Sequence, residues 1–563
     1  MKNILYFIIL SGFLLALNSC SKDFLKEVPV TTLAPENSFD TKESARLVLD
    51  GVYDGLQDRG WGDPGTENFF GIYSFSLLNM LGSDINKTWT AAFFEDVSIY
   101  TLNANSSQVY GFWVYSYDVV NRANMFLDNV DKVPMSDELK DKYRAEALFL
   151  RSLMFFNCLR LWGDIPMPLS AVKSSNLEEI QIPRTPVANV YAQIIKDLEF
   201  CEAKLPAKGQ AVGGDAFRKG EASKGAAQAL LAQIYLYRAS IAKRDGTGDG
   251  RTDYTQAYNY ASTVINSGYA LEPYFPDVWR KNDNSNTEVI FAVQHKSGAG
   301  LGAYGEGTMI PMYLGIPSSG PNYLHLGASY AEPMTANFGL YYYEAGDSVR
   351  KKWTVPNTNG ISQVGSNYVV LDNASPNHWR WRHGKWRQFP LRQPYTGTGD
   401  YGIQVPVLRL GEMYLIVAEA QNEINNNPNA IAISAVNELR KRASRTNTGT
   451  VHDDVFPRVL NLNETRVPPL QLSAYNYTSF KEYLFKERAR EMADEFCRYF
   501  DLQRWGRLID AIKYVGTTNH PEIFWGPEPE YYAHLYVSQK HYLMPVPAAE
   551  IQANPKLTQN PGY

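Results

Sequence analysis

Apolar residues recur at three- and four-residue intervals through much of the chain, the spacing that gathers them on one face of a helix. Val187, Val190, Tyr191, Ile194, Leu198, Cys201 and Leu205 form one such stripe. Thr185 can cap its start with Pro186 at the first helical position, where a missing N–H costs nothing, and Pro206 stops it. The same reading predicts a broader apolar helix over Tyr143–Trp162, ended by Gly163 and Pro166. From Ala222 to Ile241 the predicted contact face carries small residues, Ala222, Ala226, Ala229 and Ala232, which let a neighbouring helix approach closely. Further helices are expected over Tyr254–Ser267, closed by Gly268, and over Leu410–Ile424 and Ala430–Ala443. Another should start at Ser479, where Ser479-Phe480-Lys481-Glu482 reads as a capping box.

Consecutive antiparallel pairs with Ala-rich faces give a mainly α fold, a tetratricopeptide-like helical-repeat scaffold with long loop excursions and a few short strands. No clean period of about 34 residues is present, so the likeness is one of architecture. Strand signal is sparse: Glu288–Gln294 is a β-branched and aromatic run that suits one buried strand. Between His295 and Val405 periodicity fades among many Gly, Pro, Asn and aromatic residues. A stretch that long without regular structure is functional or disordered, and its aromatic load favours a folded, functional insertion.

The N-terminus adds a compartment. Lys2, the apolar run Ile4–Leu17 and then small or polar residues before Cys20 follow the order of a secretory signal peptide. Leu17-Asn18-Ser19-Cys20 resembles a bacterial lipobox, with Asn18 departing from the usual small residue, and makes Cys20 the expected lipidation site. After Cys20 no apolar run is long enough to cross a bilayer. The expected organisation is a signal peptide over 1–19, a lipid anchor and tether over 20–36, an N-terminal helical region over 37–270 and a C-terminal region over 271–563 that includes the insertion 295–405. A net charge of −5 with no basic block argues against nucleic acid. Cys158, Cys201 and Cys497 lie in helix-like apolar patterns and read as buried thiols.

Enzyme chemistry finds no foothold. There is no Gly-x-Ser-x-Gly elbow, no His-Glu-x-x-His and no phosphate loop, and the eight histidines are scattered. Glu491, Asp494 and Glu495 stand among arginines, where solvated ion pairs are expected, and no enzyme is predicted. Asp245, Thr247, Asp249 and Gly250, with Asp253 beyond, are spaced like the start of a calcium loop. Position twelve would be Gln256, which lacks the bidentate carboxylate, so a structural calcium competes with a plain Gly/Asp turn.

Several blocks resemble the SusD/RagB family of outer-membrane nutrient-binding lipoproteins. They are Tyr143–Arg151 continuing to Leu161-Trp162-Gly163-Asp164-Ile165-Pro166, then Pro183-Arg184-Thr185-Pro186, Arg409–Leu415 with Ala418-Glu419-Ala420, and Glu487–Glu491 through Phe500–Gly506. The set closes with Met544-Pro545-Val546-Pro547 and Asn560-Pro561-Gly562-Tyr563. The resemblance implies a surface-exposed lipoprotein on the outer membrane that delivers a glycan to a SusC-like TonB-dependent transporter. Read from the residues alone, Arg488, Arg490, Glu491, Asp501 and Arg504 are ion pairs that fix helix ends.

A sugar-capture site wants flat aromatic rings for the C–H faces and amides or carboxylates for the hydroxyls. Gly82–Trp89 has that chemistry, with Asp84 and Asn86 as candidate hydroxyl partners and Trp89 as a stacking ring. Tyr304, Tyr313 and Tyr323, spaced among Gly and Pro, are the second candidate group. Trp379-Arg380-Trp381-Arg382 through Trp386 reads better as packing. A peptide ligand, or a structural lid with no ligand of its own, are the competing functions.

Overall fold

The computed structural model describes residues 38–57, 78–79, 81–82, 84–86, 95–173, 176–280, 286–296, 307–308, 310–313, 334–355, 358–364, 367–372, 383–386, 401–447, 460–518 and 532–563. Its body is a succession of helices: α1 (Lys42–Asp54), α2 (Ser107–Leu127), α3 (Asp137–Trp162), α4 (Val187–Lys204), α5 (Lys224–Arg244) and α6 (Arg251–Ile265). After an excursion come α7 (Leu410–Asn425), α8 (Ala430–Ala443), α9 (Tyr477–Met492), α10 (Arg498–Arg504) and α11 (Leu508–Thr517). Each helix from α1 to α6 packs on its neighbour in sequence, α6 then packs on α7, and α7 on α8 and α9. That stepwise pairing is the helical-repeat architecture expected from the pattern.

Local chemistry sets the ends. Thr41 caps α1 in a reciprocal box with Ser44, and Ser136 accepts a hydrogen bond from Leu139 N–H at the start of α3. Ser223 and Asn429 do the same for α5 and α8. Two expectations shift. Thr185 does not cap α4: it bridges to Ile165, and Val187 N–H donates instead to Asp164 Oδ1 at 2.8 Å. The box at α9 is Asn476 with Ser479, so the cap lies three residues upstream of the expected one. Ala226, Ala229 and Ala232 are fully buried, as a close helix–helix contact requires.

Besides a two-residue pair, Thr446–Asn447 with Leu460–Asn461, the described strands are β1 (Val289–Gln294), β2 (Thr358–Val364), β3 (Asn367–Asp372) and β4 (Gln404–Arg409). β2 and β3 form a hairpin inside the excursion, while β1 and β4 pair antiparallel and bring its two ends together. One apolar cluster runs from Ala45 to Leu557 and takes side chains from both sides of residue 270. Cys158, Cys201 and Cys497 are free thiols, the first two buried.

The core also contains ions. Glu491, expected in solvent, is fully buried, with Asp494 and Glu495 beside it. Arg409 donates to Glu491 Oε1 (2.7 Å), Glu288 Oε1 (3.0 Å) and Glu495 Oε2 (2.6 Å). Arg442 donates to both Glu288 oxygens (2.9 and 2.7 Å) and to Glu491. From the excursion, Arg350 reaches Glu487 (2.7 Å) and Glu491 (3.2 Å), and Lys385 reaches Glu495 (2.6 Å). Trp386 Nε1 donates to the Asp494 carbonyl at 3.0 Å, the packing role read for that stretch; Trp379 and Trp381 lie outside the described residues. The arginines and acids sit far apart in sequence, which is why the pattern shows charges and not their pairing. Gly411 makes room, since a Cβ there would stand 2.2 Å from Arg409 Nη1.

Burial alone would raise Glu487, but the charges and hydrogen bonds of Arg350 and Arg490 overcome it and hold it at about 2. Glu491 is likewise held well below the usual carboxylate range: burial opposes, and Arg442, Arg409 and Arg350 prevail. Depressed carboxylates stabilise the fold fully above the unfolded carboxylate value of about 4.3 and lose that contribution as pH falls through the folded value. Urea unfolding should therefore show stability declining from about pH 4.5 towards about pH 2, and Glu487→Gln should flatten that decline. Glu491→Ala leaves three arginines without their shared acceptor and should cost about 3–5 kcal/mol at neutral pH.

Candidate ligand-binding site

The described residues that flank the two stretches expected to hold ligand meet at one base. Ile85 and Asn86 N–H groups both donate to Gly82 O, at 3.1 and 3.2 Å, closing a tight turn. Directly across it, Asn86 bridges antiparallel to Met334, Thr335 N–H donates to Ile85 O at 2.8 Å, and Thr335 Oγ1 donates to Asp84 O at 2.9 Å. Met334 is the first described residue after the stretch that contains Tyr323. The start of the first loop and the end of the second are thus joined by backbone bonds.

Asp84 has a different role from the one expected. It is 0 % exposed, and its carboxylate accepts from Arg498 Nε at 3.0 Å and from the Tyr342 hydroxyl at 3.0 Å. Arg498 lies over the Phe485 ring at 4.1 Å and donates to Phe485 O at 3.0 Å. Burial raises the Tyr342 phenol and the Asp84 charge raises it further, so the hydroxyl stays a donor. Gly82 admits this contact, as a Cβ there would press on the Arg498 side chain at 3.0 Å. A carboxylate so enclosed cannot meet a ligand hydroxyl; it anchors the turn to α9 and α10. Asn86, 1 % exposed, donates from Nδ2 to Asn79 O at 3.0 Å and is also part of the base. A run of Gly, Ser, Asp and Asn looks exposed in sequence, and for Asp84 the partner that buries it stands more than 400 residues away.

Trp89, Tyr304, Tyr323 and Cys20 lie outside the described residues, and of Tyr313 only the backbone, in the short helix Ile310–Tyr313, is described. The second strap has its own tie: Thr308 bridges to Tyr401, extending the pairing of β1 and β4 towards the insertion. Buried ions and backbone bonds therefore hold the described residues on either side of these stretches in place.

The calcium spacing closes without gathering its oxygens. Asp253 takes Arg238 bidentately at 2.6 Å, Asp245 takes Arg244 at 2.7 Å, and Asp249 accepts from Arg251 N–H at 3.0 Å where α6 begins. Thr247 Oγ1 donates to Ala242 O at 3.3 Å. Gly250, at φ +67°, packs against the Ala239 backbone, and this close turn splays the carboxylates towards arginines. Among the described residues no cluster of three or more His, Cys, Asp or Glu could hold a metal ion.

Helices stacked in sequence order, carrying loops on an ion-pinned base, define a helical-repeat binding scaffold. The chain belongs to the SusD/RagB family. The family model described as the SusD family matches residues 328–563, and one described as "Starch-binding associating with outer membrane" matches residues 23–236. A SusD-like protein of Formosa agariphila, P2, is 28 % identical, the alignment covering 98 % of each chain. The fold superposes on the crystal structure of a SusD homologue from Bacteroides thetaiotaomicron with a TM-score of 0.75 at 21 % identity, covering 94 % of this chain and 99 % of that one. Surface glycan-binding protein A from Bacteroides fluxus gives 0.68 at 20 %, covering 93 % and 100 %.

The base makes a stability prediction. Asp84→Ala strands Arg498 in a dry site and should cost about 3–5 kcal/mol in urea unfolding. Asp84→Asn, which keeps an acceptor, should cost less. A surface ligand contact would show neither loss.

Proposed function

We propose that this protein captures glycans at the outer-membrane surface and passes them to a SusC-like TonB-dependent transporter, without catalysis. The observation that carries the reading is the match of residues 23–236 to a family described as starch-binding and associating with the outer membrane, a range that includes the Gly82–Asn86 base. The surface glycan-binding protein with the same fold points the same way.

On this reading Trp89 and the tyrosines of the 304–323 stretch stack on sugar C–H faces, while Asp84 and Asn86 hold the loops that present them. Cys20 carries the lipid, the only membrane attachment needed, since no helix among the described residues is long and apolar enough to cross a bilayer. Several acyl chains anchor firmly where one would bind only marginally.

The test is a glycan-array screen on the mature chain with Cys20 removed, followed by calorimetry on each hit. Saturable binding to one glycan class is expected. Trp89→Ala should then weaken it by about thirtyfold or more, the scale of an aromatic anchor, with an unchanged melting temperature. Equal loss of binding and stability would make Trp89 a packing residue, and silence across the array would refute glycan capture by this chain alone.

A further inference from the structure

Among the described residues, strand β1 is paired on one side only, where β4 lies. His295 N–H donates to Ile403 O at 2.9 Å, which sets the alternation: Val293, opposite Val405, turns its backbone groups towards β4. Ala292 and Gln294, opposite Pro406 and Gln404, turn theirs away. Pro406 suits this register, since its missing N–H would have pointed away from β1.

The outward edge borders two adjoining cavities. One, of about 640 Å³, runs along Val289 to Ala292; the other, of about 400 Å³, runs along Phe291 to Gln294 beside the C-terminal end of α1. The opposite wall is the stretch 207–221 that joins α4 to α5. The cavities meet where Gly220, at φ +91°, crosses Gln294 so closely that a Cβ would lie 2.7 Å from Cγ.

Side chains occupy the outward carbonyls. Gln57 Nε2 donates to Gln294 O at 2.6 Å, Gln294 Nε2 to Ala292 O at 3.1 Å, and Lys208 Nζ to Val289 O at 2.9 Å. Each is the end of a long chain standing where a backbone N–H of an added strand would stand. The N–H groups of Ala292 and Gln294 have no partner among the described residues. Two unpaired donors on a strand edge beside an open cavity are a ready template for pairing with another chain.

Charge selects which ligand. The acids of the groove are satisfied within the protein: Asp50 and Glu221 by Arg46 and Arg218, Asp54 by Arg122. Lys208 instead bonds only the carbonyls of Val289 and Asn286 and lies 5.4 Å from the Tyr269 ring centre. Its cation has no carboxylate within ion-pair distance among the described residues, although the charge of Glu272 acts on it from farther away. Lys219 lines both cavities.

We propose that this groove binds an extended, carboxylate-bearing polypeptide segment, which adds to the free edge of β1 as a further strand. Its backbone displaces the Gln57, Gln294 and Lys208 contacts, bonds the Ala292 and Gln294 amides, and sets an acidic side chain against Lys208. This is β-strand addition, in which main-chain bonds supply affinity and side chains supply selectivity.

The experiment titrates the mature chain with an acetylated, amidated octapeptide alternating threonine and glutamate, by calorimetry and amide hydrogen exchange. Saturable binding with new protection at Ala292 and Gln294 is expected. N-methylation of alternate peptide residues should abolish it. Lys208→Glu should weaken it by about tenfold and restore tight binding to the threonine–lysine counterpart, as a desolvated charge pair requires. Ala292→Pro should remove binding without disturbing the β4 ladder; should that variant fail to fold, the N-methyl and charge-swap arms still decide. The proposal is overturned if the octapeptide does not bind at millimolar concentration, if binding ignores N-methylation or Lys208→Glu, or if the edge amides are already protected in the free protein, which would mean the chain covers its own edge.

Discussion

The arginine–glutamate cluster around Glu491 is the constraint on which the rest of the molecule depends. Burying a carboxylate costs several kcal/mol unless opposite charge and hydrogen bonds meet it, and breaking one partner leaves the rest uncompensated. Here one acid from α9 is met by Arg409 at the end of β4, Arg442 of α8 and Arg350 of the excursion, while Arg409 and Arg442 share Glu288 before β1. The elements therefore cannot dock one at a time into a comfortable partial structure. Either all of them arrive or a charge is stranded in an apolar surround. Such a cluster contributes less to stability than well-packed hydrophobics would, but it specifies one arrangement of chain segments that are far apart in sequence.

That explains how a repeat body can carry a long insertion. A helical array needs only neighbour contacts, and α6 meets α7 although the chain leaves between them for well over a hundred residues. β1 and β4 close the neck of that departure, and the ions lock the neck to α8 and α9. Further along, Lys385 and Trp386 plug the excursion back onto the end of α9. The Asp84–Arg498 pair repeats the device on a smaller scale for the first loop. An insertion closed at its neck in this way can differ in length and composition without disturbing the body.

Much of the helical body was legible because its evidence is local. The stripe from Val187 to Leu205, the alanines of α5 and the turn before α8 each need only a few neighbours to be recognised, and the structure places them within a residue or three. The failures are equally physical. Ser479 was read as a cap although Asn476 three residues earlier does that work, since both satisfy the same rule and only the fold selects one. Glu491 and Asp84 were assigned to solvent because charge normally goes there, and nothing local announces partners that stand 82, 141 and 414 positions away. In the calcium-like turn the spacing was right for an ion, yet Arg238 and Arg244 on the adjoining helix take the oxygens first.

β1 connects these themes. Its inner side pairs with β4 and so belongs to the locked neck; its end leads through His295 into the insertion; its outer edge faces an open groove. A free strand edge is normally blunted, because it templates pairing with any passing chain. This edge is sunk between α1 and the α4–α5 connection and guarded by Gln57 and Lys208, which removes flat, edge-to-edge association while leaving room for a single narrow chain. Because Glu288, which adjoins β1, belongs to the ion cluster that locks the neck, a segment seated on this edge would bear on a strand held by buried ions.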